Sequence, residues 1–379
     1  MLIKKIFSFA ISFTVLCVFA AFSCSAFSIS AQSAVVLDAR NNEVLFESSA
    51  YEKRSMASTT KIMTAILAVE SGRLEENVDI TAVMTKAEGT SIGLKPGYKL
   101  KLFDLVYGMM LESGNDAANA VALYLADSFG SFASMMNQKA AEIGMSSTNF
   151  VTPSGLDDED HYSTAYDMAL LASYCIKNPI FRSVCSDKNY VAELVSPVST
   201  RLYFSNHNRL LFSVKGVFGV KTGFTKKSGR CLVSAIEKGG AVLVAVTLKA
   251  PDDWNDHKKL FSLCLGQYET VEEDVSFPHE VTVESGLKEK ISVSPDRDKV
   301  ELAVKKGEKV ETCIKFPPFV YAPVKKGDII GKIDYMIKGN VVDSIYLSAA
   351  GDVFCVNETY APKKSFIKRL TEWFKSFFV

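Results

Sequence analysis

The sequence predicts an α+β fold in which helices pack on an antiparallel sheet, and three observations carry that expectation. β-rich runs open the chain, helical spacing occupies its middle, and a second set of β-rich runs follows far downstream. Strands, then helices, then strands is the order of a sheet covered by its own insertion, not of alternating βαβ units.

Each element has its local reason. Ala34-Val-Val-Leu-Asp38 and Glu43-Val-Leu-Phe-Glu47 flank Arg40-Asn41-Asn42, which predicts a hairpin. Ile62, Ala65, Ile66 and Val69 fall at i, i+3, i+4 and i+7, so a helix is expected from near Ser58 to Gly72. Further helices are expected over Asp104 to Leu111, Asp116 to Phe129, Ser131 to Ile143 and Ala165 to Ile176; the second of these is Ala-rich and apolar enough to be buried. Val151 to Tyr162 holds Pro, Gly and four acidic residues and reads as a loop. Val220-Lys-Thr-Gly223 begins a strand segment, Cys231 to Glu237 and Ala241 to Leu248 form a hairpin around Lys238-Gly239-Gly240, and Asp253 to Tyr268 closes the region as a helix.

Composition divides the chain further. Lys4 and Lys5 precede the apolar run Ile6 to Phe22 and the small residues Ser23 to Ala26, the order of a secretory signal, so residues 1–31 are expected to be removed on export. Residues 32–268 hold the α+β unit. From 269 to about 360 the chain alternates in short segments such as Val281-Thr-Val and Val300-Glu-Leu-Ala-Val, which predicts a small all-β sandwich. Residues 361–379 place Phe366, Ile367, Leu370, Trp373, Phe374, Phe377 and Phe378 on one helical face, with Lys363, Lys364, Lys368, Arg369 and Lys375 on the other or its edges. That is the pattern of an amphipathic helix lying at an anionic membrane surface.

Lys plus Arg and Asp plus Glu both number 43, so no net field favours a nucleic-acid partner. The four histidines, His161, His207, His257 and His279, lack ligand spacing, and no CxxC pair occurs, so no metal and no other cofactor is expected. Cys175, Cys185, Cys231, Cys264, Cys313 and Cys355 read as small hydrophobes.

Three short motifs carry chemistry. Ser58-Thr59-Thr60-Lys61 is an S-x-x-K at a helix start, which puts the amine one turn on from the hydroxyl and on the same face. A serine hydroxyl is a weak nucleophile, and a lysine whose pKa burial or a nearby cation lowers can deprotonate it. The motif recurs at Ser285 with Lys288 and at Ser365 with Lys368, but neither copy opens a buried helix. Ser113-Gly114-Asn115 lies between two apolar helices and aims a hydroxyl and a carboxamide into a cleft; Lys221-Thr222-Gly223 supplies a cation, a hydroxyl and a residue that permits close backbone approach. The order S-x-x-K, S-x-N, K-T-G belongs to penicillin-recognising serine enzymes.

With Met56-Ala-Ser-Thr-Thr-Lys61, Ser113-Gly-Asn-Asp116, Thr152-Pro-Ser-Gly-Leu156 and Gly219-Val-Lys-Thr-Gly-Phe-Thr225 quoted together, the chain resembles the low-molecular-mass penicillin-binding proteins, the serine D-alanyl-D-alanine carboxypeptidases. Ala322-Pro-Val-Lys-Lys-Gly-Asp328 is similar to that family's C-terminal β-domain, and the terminal helix to its membrane anchor. The resemblance implies a penicillin-binding, β-lactamase-like catalytic domain and peptidoglycan stem peptides ending in D-Ala-D-Ala as substrate, with β-lactams as covalent inhibitors. It implies that Ser58 forms the acyl-enzyme, Lys61 accepts the proton and Ser113 relays it. Asn115 would hold the peptide amide, Lys221 and Thr222 the terminal carboxylate, and the oxyanion would meet the N–H of Ser58 and one from Phe224 or Thr225. Phe224 stands where some relatives carry His. For the basic residue that the family tends to carry upstream of K-T-G, the sequence offers His207 and Arg209 without choosing between them, and both read equally well as solvated loop residues.

The alternatives share the fold. A class A β-lactamase needs a glutamate for deacylation, and no E-x-x-L-N segment follows Ser113. A D,D-endopeptidase or transpeptidase differs only in what enters the cleft, and a non-catalytic wall-binding protein would be expected to break the motif set.

Overall fold

The computed structural model describes residues 27–356. Most of the expected signal segment and the whole of the expected amphipathic helix lie outside the described residues.

The first unit is built on a five-stranded antiparallel sheet. Its strands are β1 (Ser33–Asp38), β2 (Glu43–Ser48), β7 (Val217–Thr225), β8 (Gly229–Lys238) and β9 (Ala241–Leu248), in the order β2-β1-β9-β8-β7. Between β2 and β7 the chain forms a 3₁₀ turn at Ala57–Thr60 and six α-helices: α1 (Lys61–Glu70), α2 (Leu102–Leu111), α3 (Asn115–Leu125), α4 (Phe129–Ile143), α5 (Ala165–Cys175) and α6 (Pro179–Ser186). Two small hairpins, β3 (Asn77–Asp79) with β4 (Lys99–Lys101) and β5 (Asn189–Glu193) with β6 (Arg201–Ser205), and the short α7 (Leu210–Ser213) complete the insertion. The helix α8 (Asp253–Leu265) closes it.

Alternation along β1 explains the layering. Val35 and Leu37 belong to the core shared with α1 to α6, whereas Ala34 and Val36 pack with Leu260, Phe261 and Cys264 of α8 on the opposite face. Both faces of β1 are therefore buried, and the sheet is the middle of three layers.

Two helix ends differ from expectation. The third helix stops at Leu125, not Phe129, because Ala126 is extended (φ −143°, ψ 158°) and Ser128 caps the next helix, its hydroxyl accepting from Ser131 N at 3.1 Å. The closing helix stops at Leu265, and Tyr268 already begins a strand. The K-T-G triplet lies inside β7 rather than at a strand start, since β7 begins at Val217.

The C-terminal region is β-rich. Strands β10 (Tyr268–Asp274) and β13 (Lys299–Lys305) pair with each other. A six-stranded sheet is formed by β11 (Glu280–Glu284), β12 (Lys290–Pro295), β14 (Glu311–Lys315), β15 (Phe319–Tyr321), β16 (Ile329–Ile337) and β17 (Asn340–Ala349). Val300, Leu302 and Val304 of the first pair share one core with Val281, Val293, Ile333 and Leu347 of the larger sheet. Polar contacts tie the two regions together: Arg40 Nη1 donates to the Ala303 carbonyl at 2.8 Å, and Lys305 pairs with Glu43 at 2.9 Å.

Candidate active site

Ser58 sits in the 3₁₀ turn that precedes α1. Ala57 before it adopts φ +49°, and Thr59 folds back on Met56 O through both its N–H (3.2 Å) and its hydroxyl (2.6 Å). Ala57, Thr59 and Thr60 are buried while Ser58 remains partly exposed, so the turn offers one hydroxyl to the cleft. On the other side of Ser58 lies the edge strand β7. A Cβ on Gly223 would stand 3.0 Å from both Ser58 N and Thr59 N, so a side chain there would crowd the protein's own Ser58 turn. The close backbone approach expected at Gly223 is thus made by the protein's own turn.

Lys61 is fully buried at the start of α1. Its Nζ lies 3.0 Å from Ser58 Oγ, 2.7 Å from Asn115 Oδ1 and 2.7 Å from the Ser154 carbonyl. Burial, and after it the Lys221 cation, hold this amine well below its ordinary pKa, against an opposing pull from Asp116. A neutral amine has two N–H donors and one lone pair. Nζ donates to all three oxygens here; once the amine is neutral, Asn115 Oδ1 and Ser154 O can keep its two donors, and its lone pair is then free to take the Ser58 proton.

The Ser154 carbonyl is held by its loop. Thr64 Oγ1 donates to Pro153 O at 2.6 Å, and the buried His161 accepts from Val151 N through Nδ1 at 2.9 Å while its Nε2 meets Thr60 Oγ1 at 2.8 Å. Because Nδ1 accepts, the ring proton is on Nε2, and burial pushes this imidazole down to about 4.

Ser113 lies in the left-handed region at φ +63° and lines the cleft; its hydroxyl has no hydrogen-bond partner among the described residues. Asp116 secures the turn by accepting from Ser91 Oγ, Ile92 N and Leu94 N at 2.6 to 3.0 Å. Asn115, the expected grip on the peptide amide, also contacts the protein's own groups. Its Oδ1 serves Lys61 and its Nδ2 donates to the Glu88 carbonyl at 2.5 Å, so in this structure it orients the amine.

Lys221 is buried behind the cleft wall, its Nζ donating to Thr222 O at 3.1 Å. Burial pulls its pKa down to about 7, opposed by the Glu112 carboxylate. The cleft, of about 320 Å³, is lined by Ser58, Ser113, Thr222, Gly223 and Phe224, and by both His207 and Arg209. These last two differ: His207 Nε2 is 3.1 Å from Glu112, whereas the exposed Arg209 side chain has no partner among the described residues. Sequence reasoning missed the Ser154 carbonyl and, on the same wall, Arg230, Asp253 and Trp254. A backbone acceptor carries no residue signature, and Arg230 belongs to none of the motifs.

Among the described residues no group of His, Cys, Asp and Glu could hold a metal ion, no helix is long and apolar enough to cross a membrane, and the six cysteines are free thiols.

Comparison with known proteins agrees over most of the chain. The family model described as D-alanyl-D-alanine carboxypeptidase matches residues 20–252, and that of the penicillin-binding protein 5 C-terminal domain matches 267–354. The chain is 31% identical to the D-alanyl-D-alanine carboxypeptidase DacF of Bacillus subtilis, over 85% of this chain and 86% of that one. It is 31% identical to DacC of Escherichia coli, over 83% and 82%. Among solved structures, the D-alanyl-D-alanine carboxypeptidase DacD of Francisella tularensis matches at TM-score 0.61 and 28% identity, covering 88% of this chain and 96% of that one. The Streptomyces K15 DD-transpeptidase matches at TM-score 0.60 and 30% identity, covering 63% and 98%.

Proposed function

The chain belongs to the D-alanyl-D-alanine carboxypeptidase family and has the penicillin-binding protein fold, and from that premise we propose how its own residues cleave a terminal D-alanine. A peptide ending in D-Ala-D-Ala lies along the free edge of β7, its carboxylate toward Lys221, Thr222 and Arg209. Neutral Lys61 takes the proton of Ser58 as Oγ attacks the penultimate carbonyl. The N–H of Ser58 and one just after Gly223, from Phe224 or Thr225, receive the oxyanion.

Collapse of the tetrahedral intermediate breaks the C–N bond. The proton held by Lys61 passes through the Ser113 hydroxyl to the departing amine, so D-alanine leaves neutral at nitrogen and Lys61 is again a base. Water then attacks the Ser58 ester, giving its proton to Lys61 while Ser58 recovers one. β-Lactams enter the same acylation and deacylate slowly. A grip on a free carboxylate restricts the reaction to chain ends.

The observation that carries this reading is the fully buried Lys61 Nζ standing 3.0 Å from Ser58 Oγ, with Asn115 Oδ1 and the Ser154 carbonyl holding it there. Purified protein should label covalently with a fluorescent penicillin and release D-alanine from a pentapeptide ending in D-Ala-D-Ala. Ser58→Ala should do neither, and unchanged labelling of that variant would remove Ser58 from its role. Because one similar chain is a DD-transpeptidase, an amine acceptor added to the assay measures how much acyl-enzyme is diverted from water.

We further propose that residues 1–31 direct export and that 361–379 hold the enzyme at the outer face of the cytoplasmic membrane. Their sequence patterns support both assignments. Protein truncated before Pro362 should stay active and leave the membrane fraction; sedimentation with membranes would overturn the anchor.

A further inference from the structure

Arg230 lies on β8 directly opposite Phe224 of β7, one step beyond the Gly223 that abuts the nucleophile turn. Paired residues in an antiparallel ladder share a face, and Arg230 accordingly reaches the cleft wall beside Phe224 and Thr222. Its guanidinium is fixed from behind: Nε and Nη2 donate to Asp253 Oδ1 at 3.0 and 2.7 Å, and the Trp254 ring lies 5.4 Å away. Asp253 is itself buried and turned away from solvent. Two of the five guanidinium N–H groups are thereby used. The other three have no partner among the described residues, and the side chain stays 40% exposed.

An arginine held by a buried carboxylate on one edge and left open on the other is a preorganised fork for a second carboxylate. Asp253 cancels the net charge, so the open edge selects by directed hydrogen bonds more than by a long-range field. We propose that Arg230 is a specificity-determining residue of the cleft that binds a carboxylate of the substrate peptide. This rests on the proposed carboxypeptidase function. A peptide laid along β7 as proposed would offer it two carboxylates: the terminal one, on the Thr222 side, and one borne by a side chain upstream of the scissile bond, on the Phe224 side.

The test uses the intact enzyme and two D-Ala-D-Ala peptides that differ only upstream, one with a neutral side chain and one with a carboxylate. Arg230→Gln should lower kcat/KM by about ten- to a hundredfold on the carboxylate-bearing peptide. An equal fall on both peptides assigns the fork to the terminal carboxylate, and a fall on the second alone assigns it to the side chain. Values within twofold of wild type on both overturn the proposal. Arg230→Lys separates binding from support of the fold: it restores the charge facing Asp253, and so the Tm, but not the planar fork, and kcat/KM should stay low. Full recovery of both quantities in that variant would make Arg230 a structural ion pair only. A wild-type enzyme that releases no D-alanine from either peptide overturns the proposed function itself.

Discussion

Gly155 and Ala57 are packed so closely that a methyl group on the glycine would lie 1.9 Å from the Ala57 carbonyl oxygen. Both residues have positive φ, +85° and +49°. The contact joins the loop whose Ser154 carbonyl holds Lys61 to the turn that presents Ser58. Gly155→Ala must therefore push the two apart, in addition to straining a left-handed residue. We expect penicillin acylation to slow by at least about a hundredfold, the scale of losing a positioned base, with a lower Tm. Acylation at the wild-type rate would show that the loop does not set the geometry of the amine.

Asn115 gives a test in which the pH axis moves. Asn115→Asp places a carboxylate 2.7 Å from Lys61 Nζ, where the wild type has an amide oxygen. An adjacent negative charge stabilises the ammonium form and raises the lysine pKa. The acid limb of kcat/KM should shift to higher pH, and turnover at pH 7 should fall. Asn115→Ala should lower turnover without that shift. An unmoved limb in Asn115→Asp would mean that Lys61 is not the titrating base.

Much of the candidate site's geometry was legible because its residues stand in short, ordered motifs: Ser58 with Lys61 on one helical turn, Ser113, and Lys221 with Thr222. What was not legible depends on the tertiary fold. The Asn115 carboxamide oxygen meets Lys61, 54 residues away, a contact that no motif spells out. The Ser154 acceptor is backbone, and Gly223 answers to the Ser58 turn. For the fold, strong periodicity located α1, α2 and α5, whereas the eight-residue α6 and the β5–β6 hairpin passed unread. Asn178 before Pro179 was a usable signal, since Asn178 Oδ1 accepts from Ile180 N and Phe181 N as an N-cap and proline suits the first helical turn. The β5–β6 strands are short, and their 189–205 span is broken by Ser196-Pro197.

Two buried histidines contribute to the acid stability. Burial holds His161 at about 4 and His257 at about 3, both below the ordinary value of 6.5. Each imidazole binds a proton more weakly folded than unfolded, so its full contribution to stability is present above pH 6.5. It is lost as pH falls from 6.5 toward 4 and then 3. At about 1.4 kcal/mol per pKa unit, the two together amount to several kcal/mol as an upper figure. Tm should drop between pH 7 and pH 4, and the drop should be smaller in His257→Gln. A Tm flat over that interval would mean that neither imidazole is held neutral.

Lys221 makes the alkaline side of the activity profile informative. Burial places its pKa at about 7, so the cation proposed to bind the carboxylate is present below that pH and lost above it. The profile of kcat/KM reports groups of the free enzyme, so it should fall as pH rises through about 7. On the acid side, protonation of Lys61, whose pKa burial holds well below its ordinary value, should also lower it. A bound substrate carboxylate stabilises the Lys221 ammonium and raises its pKa, so the alkaline limb of kcat should lie at higher pH than that of kcat/KM. Lys221→Arg keeps its charge throughout the range. Even if that variant is slow, its kcat/KM should lose the alkaline fall near pH 7, and a fall retained at the same pH would assign the limb to a different group.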